Sequence, residues 1–180
     1  TMADITKLRN ITSAGLMDCK KALAETDGDI EAAVEILRKK GQAVAAKRED
    51  REASEGCVLA KHDGDFAAVV ALNCETDFVA KNAGFVALTT KILDAAMANR
   101  CASIEELKAV ELEGQTIADL IVAESGKTGE KMELSAYEFV KGPSTTSYIH
   151  LGNKLATLVS FNLEGVDYQV ARDVAMQVAS

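Results

Sequence analysis

Apolar side chains recur every three or four residues over residues 4–41, which is the spacing of one face of a helix. Three short stretches share this pattern: Ile5, Leu8 and Ile11 in the first; Leu16, Cys19, Ala22 and Leu23 in the second; Ile30, Ala33, Val34 and Leu37 in the third. Gly41 suits the position just after a helix end, so we expect the third helix to stop there. The pattern predicts a three-helix module over residues 1–41.

The next segment is polar, rich in alanine and free of proline, and it covers residues 42–55. This composition predicts a helical or partly ordered linker. From residue 56 the apolar period changes to two, and two strand-like runs flank Asp63-Gly64, which is a strong hairpin signal. Residues 65–74 are apolar on both faces, so we expect a central strand that is covered on both sides.

The second half of the chain alternates between the two periods. We predict helices from Asn82 to about Ala98, over 104–110 and over 116–125, followed by a loop at 126–129 and a strand over 132–140. A second hairpin is predicted over 145–163 about Gly152-Asn153. A final helix is predicted over 165–179, with Val170, Val174 and Val178 at positions i, i+4 and i+8.

Two strand-to-helix segments echo one another along the chain. Residues 69–77 and 158–165 each run from an apolar strand through an Asn and a Glu into a helix. We therefore predict an α+β fold, in which the three-helix module and its linker precede an antiparallel-sheet-plus-helices core of two related subdomains. The predicted boundaries are 56–140 for the first subdomain and 141–180 for a second, incomplete one.

Composition is that of a globular protein, with 48% apolar and 27% charged residues. No apolar run approaches the ~20 residues that span a bilayer, and the N-terminus has no signal-peptide pattern. The four cysteines are far apart in sequence and there are two histidines, so no zinc or redox motif is indicated. We expect buried, reduced thiols, a cytoplasmic protein, and no metal or cofactor.

Charge is distributed unevenly. Residues 1–51 carry ten Lys/Arg and nine Asp/Glu, whereas residues 52–180 carry ten and nineteen. Binding to a phosphate backbone needs clustered cations, so the acidic body argues against direct contact with nucleic acid.

Two motifs together carry a specific resemblance. They are Asp18-Cys19-Lys20-Lys21-Ala22-Leu23 and Thr76-Asp77-Phe78-Val79. The chain closely resembles the elongation factor Ts family over nearly all of its length, and residues 1–41 are similar to a ubiquitin-associated domain. The resemblance implies a guanine-nucleotide exchange factor, not an enzyme, that binds the GTPase elongation factor Tu, displaces magnesium and GDP, and holds the nucleotide-free form until GTP binds.

The resemblance also implies which residues contact the partner. Asp77 and Phe78, supported by Thr76 and Val79, match the pair that enters beside the nucleotide-binding domain. Without the resemblance, Asp77 could instead cap a helix and Phe78 could be a core residue. Phe85 fits the stripe of the following helix, and we expect it in the core.

A second set of candidates lies in the N-terminal module. Neighbours on a helix lie about 100° apart, so Leu16 and Met17 cannot both face the core of so small a module, and we expect one of them to be exposed. The resemblance implies that this pair, with Arg9, docks on elongation factor Tu. An alternative is that both residues pack at a crowded helix start.

A third, weaker set lies at the second hairpin turn. The resemblance implies a secondary partner contact at His150 and Gly152, although this chain has Leu151 between them. An ordinary turn histidine is the alternative. Gly126-Lys127-Thr128 resembles the end of a phosphate-binding loop but lacks the earlier glycine, and we do not assign it that role.

Two other functions stay open from the sequence. One is a non-catalytic module whose three helices recognise a peptide or a ubiquitin-like partner; the other is an enzyme fragment that lacks its catalytic half. Family members usually continue beyond the second subdomain, so we expect the chain to be C-terminally truncated. An unpaired strand edge could also support a homodimer.

Overall fold

The computed structural model describes all 180 residues, which divide into two compact units. The first unit comprises Thr1–Ala53 and Glu111–Met132, and the second comprises Ser54–Val110 and Glu133–Ser180. Both contain helices and antiparallel strand pairs, which confirms the predicted α+β class. None of the helices combines the length and the apolar character that crossing a membrane requires.

Three helices open the first unit: α1 (Met2–Thr12), α2 (Leu16–Glu25) and α3 (Ile30–Lys47). The Thr1 hydroxyl and the Asp4 carboxylate cap α1 reciprocally, and the Asp29 carboxylate accepts a hydrogen bond from the Ala32 N–H at the start of α3. The helices share one apolar core, formed by Leu8, Cys19, Ala22, Leu23, Ala33 and Leu37. This confirms the predicted three-helix bundle.

Helix α3 does not end at Gly41, and that prediction was wrong. The helix continues to Lys47, so the first six residues of the predicted linker are helical. Gly41 is buried within the helix, and a Cβ at this position would lie 3.2 Å from the Val122 carbonyl oxygen. The glycine therefore permits close approach of another helix, a role that sequence spacing cannot distinguish from a helix end.

That other helix is α7 (Ile117–Thr128), which follows the short strands β3 (Glu111–Leu112) and β4 (Gln115–Thr116). The Thr116 hydroxyl caps α7 by accepting from the Asp119 N–H. The helix runs through Gly126 and ends at Gly129, whose φ is +76°, so the predicted loop at 126–129 is mostly helix. Because α7 packs on α3, residues 111–132 group with the N-terminal helices and not with the rest of the predicted 56–140 subdomain.

The second unit is built on a sheet with the strand order β1-β2-β5. Strands β1 (Glu55–Asp63) and β2 (Phe66–Cys74) form the predicted hairpin about Gly64, and β5 (Glu133–Lys141) pairs with the other edge of β2. Strand β2 is central in the sheet; the face that carries Phe66, Val70 and Cys74 is buried throughout, and the other face is buried at Ala67 and half-buried beyond it.

Three helices follow β2 in the second unit: α4 (Asp77–Ala80), α5 (Ala83–Asn99) and α6 (Ile104–Ala109). Helix α5 packs on β1 and β2. Its predicted core stripe is confirmed, since the buried residues include Phe85, Leu88, Ile92, Ala95 and Ala96.

The chain closes with the hairpin of β6 (Ser144–Ile149) and β7 (Ala156–Phe161), followed by α8 (Tyr168–Ala179), which packs on that hairpin. The predicted final helix is present, but its evenly spaced valines do not form the buried face: Val170, Val174 and Val178 are 54%, 37% and 60% exposed. The helix buries Ala171 and Ala175 instead. Small side chains let the helix backbone lie close to the hairpin, where the Thr157 hydroxyl donates to the Ala175 carbonyl at 2.8 Å.

All four cysteines are buried thiols that form no disulfide, as predicted. Burial raises the pKa of the thiols of Cys19, Cys57 and Cys101, which keeps them protonated near neutral pH.

Candidate partner-binding surface

The turn between β2 and α5 is held by local hydrogen bonds at each step. The Cys74 thiol donates to the Thr76 carbonyl at 3.2 Å, and the Thr76 hydroxyl accepts from the Val79 N–H at 3.4 Å. The Asn82 side chain then accepts from the Gly84 N–H at 2.8 Å and starts α5. The single turn of α4 is therefore fixed between a central strand and a long helix, both of which are rigid elements.

Phe78 points away from this scaffold. Its side chain is 83% exposed, whereas Ala80 in the same turn is 6% exposed and Phe85 is fully buried. Phe78 is thus not a core residue, and Phe85 is one, as predicted. A large apolar ring carried outward on a fixed turn is suited to insertion into a partner's groove, because the backbone that carries it needs little further ordering on binding.

Asp77 occupies the first turn of α4, and the capping role belongs to Thr76. The Lys81 ammonium donates to the Asp77 carboxylate at 2.9 Å. This hydrogen bond and the charge of Lys81 lower the pKa of Asp77, and Lys154 adds a further attraction. Asp77 therefore stays ionised at neutral pH and presents a hydrogen-bond acceptor beside Phe78.

Lys154 belongs to the turn of the second hairpin, which is tied to β1. Its ammonium contacts the Glu55 carboxylate at 2.7 Å, and the Asn153 carbonyl accepts from the Val58 N–H at 2.8 Å. The charge of Lys154 also lowers the pKa of Asp77, so this turn and the start of α4 interact electrostatically. His150 and Gly152, predicted as a weaker site, belong to the same turn as Lys154.

The backbone conformation of the turn at 150–154 explains why a glycine stands at position 152. Gly152 and Asn153 have φ values of +90° and +55°, a left-handed conformation in which glycine carries no steric cost. His150 is exposed, and its Nδ1 lies 2.9 Å from the Tyr148 hydroxyl, so its ring already has an intramolecular partner.

Leu151 is the exposed apolar residue that sequence reasoning left without a role. Its side chain is 94% exposed at the tip of the turn, beside Gly152. The available signal was an apolar residue placed within an otherwise polar turn, His150-Leu151-Gly152-Asn153-Lys154. Leu151 and Phe78 are thus two exposed apolar side chains on the second unit.

The first unit carries the other predicted set. Leu16 and Met17 are 45% and 71% exposed, while the opposite face of α2 buries Cys19 and Leu23. We predicted that one of the two residues is exposed, and the structure shows that both are; Leu16 is exposed although it belongs to the apolar pattern of α2. Arg9 is exposed in the last turn of α1, close in sequence to the α1–α2 corner.

Other chemistry has little support on this molecule. No group of three or more His, Cys, Asp or Glu side chains is arranged to hold a metal ion. Gly126, Lys127 and Thr128 form the last turn of α7 and do not form a phosphate-binding loop. The exposed residues described above are thus the strongest candidates for function.

Comparison with known proteins identifies close relatives of the chain. A sequence model of the family described as "Elongation factor TS" matches residues 75–180. Proteins named elongation factor Ts from Parabacteroides distasonis and Phocaeicola vulgatus are 60% and 62% identical over the whole chain, which covers 54% of each relative. The protein of the same name from Porphyromonas gingivalis is 60% identical, and the chain covers 66% of it. The chain thus spans about half to two thirds of the length of these curated relatives.

Proposed function

The chain belongs to the elongation factor Ts family, and on this premise we propose that it acts in translation elongation as a guanine-nucleotide exchange factor for elongation factor Tu. The observation that carries the proposal is Phe78, an 83% exposed aromatic ring on the fixed turn between β2 and α5. In this proposal Phe78 is the wedge that opens the nucleotide site of the partner.

Exchange requires a difference in affinity and not affinity alone. A factor that binds nucleotide-free elongation factor Tu more tightly than the GDP form must, by linkage, weaken GDP by the same factor. Each tenfold of weakening requires about 1.4 kcal/mol of differential contact. Burying one Phe side chain contributes about 1.5–3 kcal/mol, so a wedge that finds its groove only in the nucleotide-free form supplies about one to two factors of ten.

Asp77 adds a polar contribution at the same place. Its carboxylate is ionised and accepts one hydrogen bond from Lys81, which leaves further acceptor capacity. Competing hydrogen bonds from this carboxylate would favour a conformation of elongation factor Tu in which the magnesium-holding segment is displaced. Thr76 and Val79 support both residues, since the cap between them fixes the turn.

The N-terminal module supplies orientation and uniform affinity. Leu16 and Met17 are exposed apolar side chains, and Met is an adaptable contact residue at binding surfaces. With Arg9, they would dock the module equally well on the GDP-bound and nucleotide-free partner. Contacts that do not differ between two states strengthen binding without driving exchange.

The turn at His150 and Gly152 would make a secondary contact in this proposal, with Leu151 as its apolar element. Exchange makes and breaks no covalent bond, so the protein would not be an enzyme and would need no cofactor. The partner is a protein and not nucleic acid, in keeping with the acidic balance of residues 52–180. A homodimer stays a prediction.

The exposed Met17 also favours a second candidate function. A three-helix module with an apolar surface residue 71% exposed could recognise a peptide or a ubiquitin-like protein. Such binding would not need Phe78, and this separates it from the first proposal.

The test is the release of fluorescent GDP from elongation factor Tu, measured with and without the chain. The full-length relative from Parabacteroides distasonis serves as the positive control. We expect the chain to accelerate release and to bind immobilised nucleotide-free elongation factor Tu. Binding without acceleration would contradict exchange by this chain, and the absence of binding would contradict the proposed partner.

A further inference from the structure

An apolar cavity lies within the first unit, between helices α1, α3 and α7. Its volume is about 350 Å³, within the range of small-molecule sites. The apolar part of its wall is formed by Ile11, Val34, Leu37, Val122 and Ala123. Gly41 and Gly126 also line the cavity, at the place where α3 and α7 approach most closely.

A second cavity of about 350 Å³ adjoins the first and shares Ala14 and Lys127 with it. Its remaining wall consists of Thr6, Arg9, Asn10 and Ser13. The wall thus contains two cations, two hydroxyls and a carboxamide, and it contains no carboxylate. Lys127 lies 3.7 Å from Glu124, and its ammonium keeps further donors for a second anion.

We treat the two adjoining cavities as one groove, which has a cationic end at Arg9 and Lys127 and an acidic end at Asp119. Lys127 lies in the last turn of α7, and Asp119 lies in the first turn. Eight residues of helix separate them by about 12 Å. The wall of the first cavity also contains Asp18, Arg38, Lys40 and Glu113; Lys40 pairs with Asp18, and Arg38 pairs with Glu35 at 2.8 Å. An anionic group is therefore favoured at the Arg9–Lys127 end and disfavoured at the Asp119 end.

We propose that this groove binds a medium-chain fatty acid, with its carboxylate between Arg9 and Lys127 and its hydrocarbon tail in the apolar cavity. Arg and Lys donors to a carboxylate form charge-assisted hydrogen bonds, which are the stronger class. A tail of medium length matches the ~12 Å between the cationic and acidic ends of α7. The site shares Arg9 with the proposed docking surface of the N-terminal module, but it does not use Leu16, Met17 or Phe78.

The experiment is a titration of the whole chain with decanoate, followed by amide chemical shifts. We expect saturable shifts at residues that line the groove, including Ala14, Val122, Ala123 and Gly126. Decyltrimethylammonium, which has the same tail and the opposite charge, should bind at least about tenfold more weakly, as loss of a charged hydrogen bond requires.

Two substitutions and a control test the two ends of the site. Lys127→Glu should weaken decanoate binding by about tenfold or more, while Lys20→Glu, on the exposed surface of α2, should leave it unchanged. Ala123→Phe should abolish binding by filling the cavity; if this variant fails to fold by circular dichroism, Lys127→Glu decides. Equal binding of both amphiphiles, no effect of Lys127→Glu, or shifts confined to the exposed valines of α8 would each overturn the proposal.

Discussion

Gly41 of α3 and Gly126 of α7 lie backbone against backbone. A Cβ added to Gly126 would lie 2.8 Å from the Gly41 Cα, a separation that no pair of packed carbon atoms tolerates. Because neither glycine has a side chain, the backbones of α3 and α7 can approach this closely at Gly41 and Gly126. Through this contact α7 joins the N-terminal helices as part of the first compact unit.

Substitution of Gly126 is expected to destabilise the first unit. Alanine is a better helix former than glycine by about 1 kcal/mol, so an exposed Gly→Ala change would stabilise α7. At this position the new Cβ forces the helices apart, and overpacking of this kind typically costs about 1–3 kcal/mol. We expect Gly126→Ala to lower the free energy of unfolding in urea, and Gly126→Val to lower it further.

Gly15→Ala is the steric control, because a Cβ there would meet only the Asp18 carboxylate, at 3.8 Å. Its φ of −64° suits alanine. Gly15 is the N-cap of α2, where alanine is less favourable than glycine, so we expect a small loss of stability that is below that of Gly126→Ala. A gain in stability for Gly126→Ala, or an equal loss in both variants, would contradict the account of this contact.

Tyr137 provides a test in the core of the second unit. Its hydroxyl donates to the Cys101 carbonyl at 2.7 Å, and the side chain is 6% exposed. We expect Tyr137→Phe to lower the free energy of unfolding by about 0.5–1.5 kcal/mol, because the carbonyl loses its partner. An unchanged urea midpoint would show that water replaces the hydroxyl without cost.

The same residue gives a prediction for alkaline pH. Burial, together with the nearby Cys101 and acidic side chains, raises the pKa of Tyr137 to about 12, compared with about 10 for a free tyrosine. A raised pKa means that the neutral form is favoured in the folded state. Its contribution to stability is therefore complete below pH ~10 and is lost as the pH rises toward 12. Tyrosinate absorbance should show one late-titrating group that is missing in Tyr137→Phe.

The pair of Asp77 and Lys81 makes a prediction at acidic pH. Because Lys81 lowers the pKa of Asp77, Lys81→Met should raise that pKa, and Lys154→Met should raise it by less. The folded-state pKa is depressed, so the stabilising contribution is present above the usual Asp value and is lost as the pH falls through the folded-state value. The measurement is a carboxyl NMR titration, and a larger shift in Lys154→Met would reverse the assigned order.

Much of the fold follows from local pattern. The hairpin about Gly64, the central strand β2 and the buried stripe of α5 are each encoded by residues adjacent in sequence, and each was predicted. The exposed Phe78 could be predicted only through the resemblance, since periodicity alone allows a core residue at that position.

The errors arise where distant residues decide the outcome. Gly41 carries a typical helix-end signal, yet α3 continues to Lys47, and the glycine is the point at which α7 lies against it. In α8 the valines are more apolar than Ala171 and Ala175, yet the alanines are buried because the helix lies close to the β6–β7 hairpin. Neither the partner helix nor the packing distance is present in the local sequence.

The N-terminal docking proposal predicts a uniform loss of affinity. The double substitution Leu16→Ala with Met17→Ala should weaken binding to both GDP-bound and nucleotide-free elongation factor Tu by about tenfold or more, and exchange should fall in parallel. Met2→Ala is the matched control, since Met2 is 70% exposed in the same unit. A loss confined to the nucleotide-free form would assign the wedge role to this module instead.

The most direct test of the proposed mechanism is the rate of fluorescent GDP release from elongation factor Tu with Phe78→Ala, compared with the affinity of the same variant for the GDP-bound form. Leu163→Ala, which also removes an exposed apolar side chain of the second unit, is the control. The account predicts that Phe78→Ala lowers the acceleration of release by about tenfold or more and lowers affinity by less, while Leu163→Ala changes neither. Equal losses in release and affinity, or full acceleration by Phe78→Ala, would contradict the wedge.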